Sequence, residues 1–282
     1  MRLSNIMEFK DLTGFGEPLK RVIDCLNDGV SALMAPFLFK RMERAKLEFA
    51  EEGLTKTSLI TLKQSLTQDL VEAAHTSRDK REIDNIVDIY GHAALQLQGL
   101  EKQLTEKTVS SEWSAHFFDA SKDCANDDVK IIWSKILAGE IQNPGKYFKR
   151  TLTVLKDIEQ HEAEWFVKLC QLTIDDAYVP MFVLTGNKYF RFNEFQSLID
   201  CGLINGTDGM MEYPQSCTLK GKSCDIELEI KGTPPVIGVY SFTDSGHQIC
   251  ELVQCETNMS FMNELKAYFE KLPDVHATII SK

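Results

Sequence analysis

An apolar stripe with helical spacing runs through the first half of the chain. Its members recur three and four residues apart, which places them on one face of a helix: Ile83, Ile86, Val87, Tyr90, Ala93, Ala94, Leu97, Leu100 and Leu104. The preceding segment, residues 57–75, is also rich in helix-forming residues. The two segments predict a long antiparallel helical hairpin, joined by the charged residues 78–81.

Shorter helices are expected after this hairpin. Ser111 is a candidate N-cap for one helix, and Asn126 is a candidate N-cap for the next, because two acidic residues follow it at the positive end of the helix dipole. The sequence QNPG breaks that second helix. Pro144 suits the first turn of a following helix, which would also carry Tyr147 and Phe148.

The pattern changes near residue 175. Short runs rich in β-branched and aromatic residues, separated by Gly, Pro and Asn, predict strands at residues 179–184, 210–213, 225–230, 236–242 and 276–280. Helical patterns occupy residues 193–204, 243–255 and 258–271. We therefore predict a mainly α chain with a smaller α/β part: an N-terminal helical hairpin or bundle over residues 1–174 and a winged-helix-like domain over residues 175–282.

The overall charge disfavours two classes of partner. The chain has 42 acidic and 31 basic residues, a net charge of −11. Such a chain has no global attraction for nucleic acid or for an anionic membrane, although a local basic patch could still exist. Its longest apolar run, residues 29–39, is shorter than the roughly 20 residues that span a bilayer. The amphipathic segment from Phe37 to Lys46 could lie on a membrane surface, but a core-facing helix is favoured.

The cysteines are expected to be reduced, and the cysteine and histidine positions do not form a metal-binding pattern. The N-terminal sequence lacks the pattern of a secretion signal, so the eight cysteines are expected to be reduced thiols in a cytoplasmic protein. His247, Cys250 and Cys255 are the best candidate ligands for a metal. On a helix, however, Cys250 and Cys255 would point about 140° apart. We predict no metal and no cofactor.

The segment GEIQNPGKY superficially resembles a phosphate-binding loop. Gly139 and Gly145 are separated by five residues where that loop has four, and Tyr147 replaces the hydroxyl residue that follows the lysine. A helical pattern also precedes the segment where a strand is required. The chain has no nucleophile elbow, and its histidines lack flanking catalytic patterns. We predict a joint between helices here and no catalytic residues.

A winged helix often binds DNA, so the sequence around its second helix is informative. The candidate contacts are Lys188, Arg191 and Gln196. Residues 180–282, however, carry eight basic and thirteen acidic residues, a net charge of −5, and the predicted helix at 193–204 has no base. Because neutralisation of phosphate charge supplies most non-specific affinity, this surface is poorly equipped for nucleic acid.

The segments WSKILAGEI, NPG, RTLTVLK and EAEWF carry a family resemblance. Together with DLTGFGEPLKRVID, LIDCGLI and FTDSGHQICEL, they resemble uncharacterised bacterial proteins catalogued as domain of unknown function 2806. The matching positions are Trp133, Ala138, Gly139, Glu140, Pro144, Gly145, Arg150, Thr151 and Leu152. The family usually has small hydroxyl residues after the PG pair, where this chain has Lys146, Tyr147 and Phe148. The resemblance implies a bacterial origin and no particular activity.

The positions on either side of the NPG turn are the candidate structural or binding residues. Glu140 and Arg150 are expected to form an ion pair that joins the two helices. The leading functional hypothesis is a non-catalytic interaction or scaffold protein that packs against a protein partner or a second copy through its long hairpin. The resemblance extends it to an accessory role in anti-phage defence. The alternatives are a winged-helix DNA-binding regulator and an enzyme whose site assembles only on folding.

Overall fold

The computed structural model describes residues 21–22, 24–25, 77–97, 100 and 104–282. Helices and two small antiparallel sheets make these residues mainly α with a smaller β part, as predicted. The chain divides into two compact units between Leu152 and Thr153. The domain boundary expected at residue 174 stays a prediction. None of the described helices is long and apolar enough to cross a membrane.

The first unit contains α1 (Ser77–Leu97), α2 (Ser111–Ser121), α3 (Asp127–Gln142) and the first residues of α4 (Lys149–Asp157). Helix α1 packs against α3. It buries the middle of the predicted apolar stripe: Ile86, Tyr90, Ala93, Ala94 and Leu97. Its proposed hairpin partner, residues 57–75, lies outside the described residues, as does the candidate membrane segment from Phe37 to Lys46.

Local capping chemistry sets the starts of α2 and α3. Helix α2 is capped by Ser110, whose hydroxyl accepts a hydrogen bond from the Trp113 N–H at 3.2 Å, so the predicted cap at Ser111 was wrong by one residue. Helix α3 is capped as predicted, because the Asn126 side-chain oxygen accepts from the Val129 N–H at 3.2 Å. Satisfying these exposed backbone donors is what fixes each start.

The predicted placement of Pro144 in a helix was wrong. Pro144 lies in a turn, and α4 begins only at Lys149. Two features keep the intervening residues out of the helix. Gly145 has a positive φ of 93°, and the Tyr147 N–H donates to the Glu140 side chain at 2.9 Å.

The second unit contains the remaining elements. Its helices are α5 (Gln160–Cys170), α6 (Phe192–Asp200), α7 (Asp244–Leu252) and α8 (Met259–Glu270). Its strands are β1 (Tyr178–Pro180), β2 (Ile204–Glu212), β3 (Cys217–Lys220), β4 (Cys224–Ile230), β5 (Val236–Phe242) and β6 (Val275–Ser281). The strand predicted at 179–184 was wrong beyond Pro180, since a 3-10 segment, Met181–Asn187, follows directly.

Two three-stranded sheets organise this unit. Strand β5 lies between β1 and β2, and β4 lies between β3 and β6, with every neighbouring pair antiparallel. Aromatic contacts join the first sheet to its helices: Phe166 on α5 meets Phe242 at 5.3 Å between ring centroids, and Phe195 on α6 meets Tyr240 at 4.9 Å. The sheet thus holds α5 and α6 in place.

Candidate functional site

The turn between α3 and α4 is built around a buried carboxylate. We call residues 139–151 the signature turn. Glu140 is only 2% exposed. One oxygen of its carboxylate accepts a hydrogen bond from the Gly145 N–H at 2.6 Å, and the other accepts one from the Tyr147 N–H at 2.9 Å. Burial raises the pKa of Glu140, and the backbone N–H groups of Gly145, Lys146 and Tyr147 oppose that shift.

This arrangement explains why the segment is not a phosphate loop. In a phosphate loop, successive backbone N–H groups of the turn face a bound anion. Here the carboxylate of Glu140 supplies that negative charge from within the chain. The backbone donors of Gly145 and Tyr147 are therefore already engaged, and the turn cannot offer them to a phosphate without displacing Glu140.

The glycines of the turn serve its packing and its shape. A Cβ at Gly139 would lie 2.9 Å from a ring carbon of Tyr147. Tyr147 is buried, and its carbonyl accepts a hydrogen bond from the indole N–H of Trp113 at 2.8 Å. Gly145 adopts the left-handed backbone conformation that glycine reaches without steric cost. A side chain at position 139 would therefore require the Tyr147 ring to shift.

Other family positions divide between the interior and the surface. Trp133 is buried and meets the Phe117 ring edge-on at 5.4 Å, and Thr151 is also buried. Arg150 is exposed, and its guanidinium lies over the Phe148 ring at 5.2 Å from the centroid. Pro144 is half-buried within the turn. The ion pair expected between Glu140 and Arg150 stays a prediction.

Two of the three candidate nucleic-acid contacts in the second unit, Lys188 and Gln196, are engaged by acidic neighbours. Lys188 forms an ion pair with Glu264, and their hydrogen bond raises the pKa of Lys188 and lowers that of Glu264. The Gln196 amide donates to the Asp200 carboxylate at 2.9 Å. Arg191 is exposed at the start of α6. A phosphate group approaching α6 would therefore have to compete with carboxylates for Lys188 and Gln196.

Four exposed apolar side chains lie together beside the first sheet. We call Met181, Met210, Val236 and Tyr268 the apolar wing. They are 37%, 72%, 41% and 37% exposed, respectively. Met210 on β2 pairs directly with Gly238 on β5, and Met181 fills the space where a Gly238 side chain would stand.

Two further relations complete this surface. Val236 precedes Gly238 by two residues, so both lie on the same sheet face. The Tyr268 hydroxyl donates to the Val236 carbonyl at 3.4 Å, which places α8 at the edge of the same surface. Sequence reasoning missed the apolar wing, because its residues come from a 3-10 segment, two strands and a helix that are distant along the chain.

A group of cysteines lies beside Lys222 in the second unit. Burial raises the pKa of the Cys170 thiol strongly, and a hydrogen bond to Cys250 adds to the effect; burial also raises the pKa of Cys255. Lys222 binds the Asp176 carboxylate at 2.8 Å and the Cys250 carbonyl at 2.6 Å. Cys170 and Cys255 are thus held as neutral thiols, the less nucleophilic form. Among the residues that the structure describes, no group of three or more metal-ligating side chains is arranged around a common point.

A cleft of about 360 Å³ lies near the start of α1 in the first unit. Its lining combines three carboxylates with one guanidinium and one amide: Arg81, Glu82, Asp84, Asn85, Asp123 and Ala125. Asn85 is buried, and its amide donates to the Lys122 carbonyl at 2.9 Å. Among the described residues that line it, none is a histidine, a cysteine or a hydroxyl residue.

Comparison with known proteins confirms the family resemblance over part of the chain. Residues 71–190 match the family described as protein of unknown function, DUF2806. The matched region includes α1 to α5, the signature turn and β1, and it ends just before α6. No curated protein and no solved structure matches the chain.

Proposed function

We propose that this chain, which carries a DUF2806 region at residues 71–190, is a non-catalytic interaction protein that binds its partner through the apolar wing. The observation that carries the proposal is the exposure of four neighbouring apolar side chains on one surface. Contiguous exposed apolar surface is a feature of protein interaction sites, because its burial against a partner removes that surface from water.

The element order supports a winged-helix-like architecture for the partner-binding unit. Helix α5, strand β1, the 3-10 segment, helix α6 and strand β2 occur in the order of a winged-helix fold, and strand β5 completes it after β3 and β4 of the second sheet. The sheet order β1–β5–β2 agrees with this assignment, since the first strand pairs with the last. The apolar wing includes residues of β2 and β5, the two strands that would form the wing.

Charge favours a protein partner over DNA for this unit. Lys188 and Gln196 are held by Glu264 and Asp200, and Asp208 lies exposed on β2 beside the wing. An exposed carboxylate repels phosphate, and an apolar surface does not attract it. A winged helix used for protein contact fits these observations better than a DNA-binding regulator does.

The test is capture of a partner from the source cells at physiological salt, with and without nuclease, together with light scattering for a second copy. Met210→Asp removes an apolar contact, and Thr207→Asp adds the same charge at another exposed position of β2. We expect a stoichiometric, nuclease-resistant partner or homo-oligomer that is lost with Met210→Asp and kept with Thr207→Asp. A bare monomer, or a complex indifferent to both substitutions, would overturn the proposal.

A nuclease-sensitive complex that Lys188 or Arg191 substitutions abolish would instead favour the DNA regulator. The bacterial origin, the cytoplasmic location and the accessory role in anti-phage defence extend the proposal and stay predictions. The identity of the captured partner tests the defence role directly: a component of a defence system would support it, and a housekeeping protein would not.

A further inference from the structure

Strand β6 forms an outer edge of the β3–β4–β6 sheet, and the backbone groups of alternate residues face outward from that edge. The Lys282 N–H donates to the Ser223 carbonyl at one end of the ladder between β4 and β6. The Lys231 N–H donates to the Asp274 carbonyl at the other end, and both bonds follow the β4–β6 register. The even-numbered residues of β6 therefore bond to β4, and the N–H and C=O groups of the odd-numbered residues point away from it. These outward groups, to which no described residue bonds, belong to Val275, Ala277, Ile279 and Ser281.

The other outer strands of the two sheets carry features that hinder pairing with a further strand. Strand β1 has three residues and ends at Pro180, and the register of β2 is interrupted between Ile204 and Asp208. Strand β3 has four residues, and the N–H and C=O groups of Lys220 are bound by Asp175. Strand β6 instead has seven residues in unbroken register and contains no proline, glycine, lysine, arginine or carboxylate. Because protein chains usually block exposed sheet edges in these ways, the edge of β6 is the one suited to accept a strand.

We propose that β6 pairs in antiparallel fashion with β6 of a second copy of this chain, about a two-fold axis at Thr278. In this register the outward groups match completely: Val275 lies opposite Ser281 of the second copy, and Ala277 lies opposite Ile279 of the second copy. Each of the four resulting pairs exchanges two hydrogen bonds, which gives about eight bonds across the interface. The two Thr278 side chains meet at the axis, and such threonine pairs are favourable between neighbouring strands.

Charge complementarity at the ends of β6 favours a second copy over an unrelated strand. Asp274 and Lys282 lie one position beyond the two ends of β6, and the ladder with β4 extends to both of them. Pairing about Thr278 sets Asp274 of each copy opposite Lys282 of the other, and opposite charges at such positions attract. Lys282 also lies 3.1 Å from Asp225 on β4, so it would bridge two carboxylates. An unrelated strand would satisfy the backbone of β6 but would not in itself provide this pair of charges.

The pairing closes at two copies. A two-fold interface uses the same edge of each copy, so the joined sheet of six strands would run β3–β4–β6 and then β6–β4–β3 of the second copy. Its outer edges are the two β3 strands, where Asp175 binds the backbone of Lys220. A dimer is therefore expected and not an open-ended fibre. Strand β6 contains none of the four residues of the apolar wing, so this inference goes beyond the proposed function and concerns a different surface.

The test is sedimentation velocity of the full chain over a range of concentrations, with two variants of equal charge. Thr278→Lys places two like charges at the axis. Thr218→Lys adds the same charge to β3 beside the same neighbour, because Glu227 pairs with Thr218 on one side and with Thr278 on the other. Both threonines are exposed, so both variants are expected to fold, which circular dichroism checks. We expect a wild-type dimer that Thr278→Lys weakens by about fivefold or more and that Thr218→Lys leaves nearly unchanged.

A mixture of two variants tests the position of the axis. Thr278→Glu alone should weaken the dimer as Thr278→Lys does, since it also sets like charges opposite each other. An equimolar mixture of the two should restore dimers that contain one copy of each, because unlike charges then meet at the axis. Variants that had lost their fold would not recover on mixing, so this result separates a lost contact from a lost structure.

Three results would overturn the inference. One is a wild-type chain that stays monomeric at every concentration, including the case in which β6 binds a strand of another protein instead. Another is a dimer that Thr278→Lys and Thr218→Lys weaken equally, or that the mixed variants fail to restore. The third is a dimer lost with Met210→Asp and kept with Thr278→Lys, which would assign self-association to the apolar wing. Met210→Asp should otherwise dimerise as the wild type does, so failure here is distinguishable from failure of the proposed function.

Discussion

The signature turn and the apolar wing place their apolar and polar groups in opposite ways. In the turn, the polar backbone is satisfied internally by Glu140, while Trp133 and Tyr147 are buried. In the wing, apolar side chains such as Met210 face solvent. The buried groups of the signature turn stabilise the chain on their own, whereas the apolar wing adds stability only when a partner covers it. We infer that the residues that identify the family mainly maintain its fold.

The largest effect that sharpens this contrast is expected from Trp133→Ala. Trp133 is fully buried against Phe117, so its removal should lower the free energy of unfolding by about 3–5 kcal/mol. The matched surface substitution is Met210→Ala, for which we expect a change within about 0.5 kcal/mol. Denaturant titration measures both. If the two substitutions changed the free energy of unfolding by similar amounts, the contrast between the buried groups near the signature turn and the exposed apolar wing would be wrong.

The next effect tests the carboxylate at the centre of the turn. Glu140→Ala leaves the N–H groups of Gly145 and Tyr147 without their acceptor, and we expect it to lower the free energy of unfolding by roughly 3 kcal/mol. Glu140→Gln keeps the shape and one acceptor oxygen, so it should recover part of the loss. If thermal and chemical denaturation show Glu140→Ala to be as stable as the wild type, the internal-anion account of the turn is wrong.

The smallest effect concerns pH. Burial raises the pKa of Glu140 in the folded chain above its ordinary value of 4.5, so the folded state binds the proton more tightly than the unfolded state. Stability from this group is therefore full below pH 4.5 and is lost as the pH rises through the raised pKa. The stability difference between wild type and Glu140→Gln should shrink or reverse over that window. A difference that grows with pH would show that the N–H donors outweigh burial.

The sequence predicted the elements that local chemistry determines. The start of α3 follows from the capping side chain of Asn126, and α7 and α8 follow from their helical patterns and were placed within three residues of their observed ends. Strand β3, Cys217–Lys220, was missed because it has only four residues and depends on pairing with β4. The position of Pro144 was misjudged because no sequence pattern shows that Glu140 holds the Tyr147 N–H.

The candidate sites differ in the same way. The signature turn lies within thirteen consecutive residues, so its members could be named from the sequence, although their roles could not. The apolar wing exists only because Gly238 leaves room for Met181 and pairs with Met210. The engagement of Lys188 by Glu264 likewise depends on the packing of α8, which the sequence does not specify. Such juxtapositions require the fold.

The most direct test of the central claim is to measure partner binding and the free energy of unfolding together in Met210→Asp and Thr207→Asp. The account predicts that both variants stay within about 1 kcal/mol of the wild type in stability. It also predicts that Met210→Asp binds the captured partner, or a second copy, at least about tenfold more weakly, a loss of about 1.4 kcal/mol. Wild-type affinity in a folded Met210→Asp variant would contradict the assignment of the apolar wing as the binding surface.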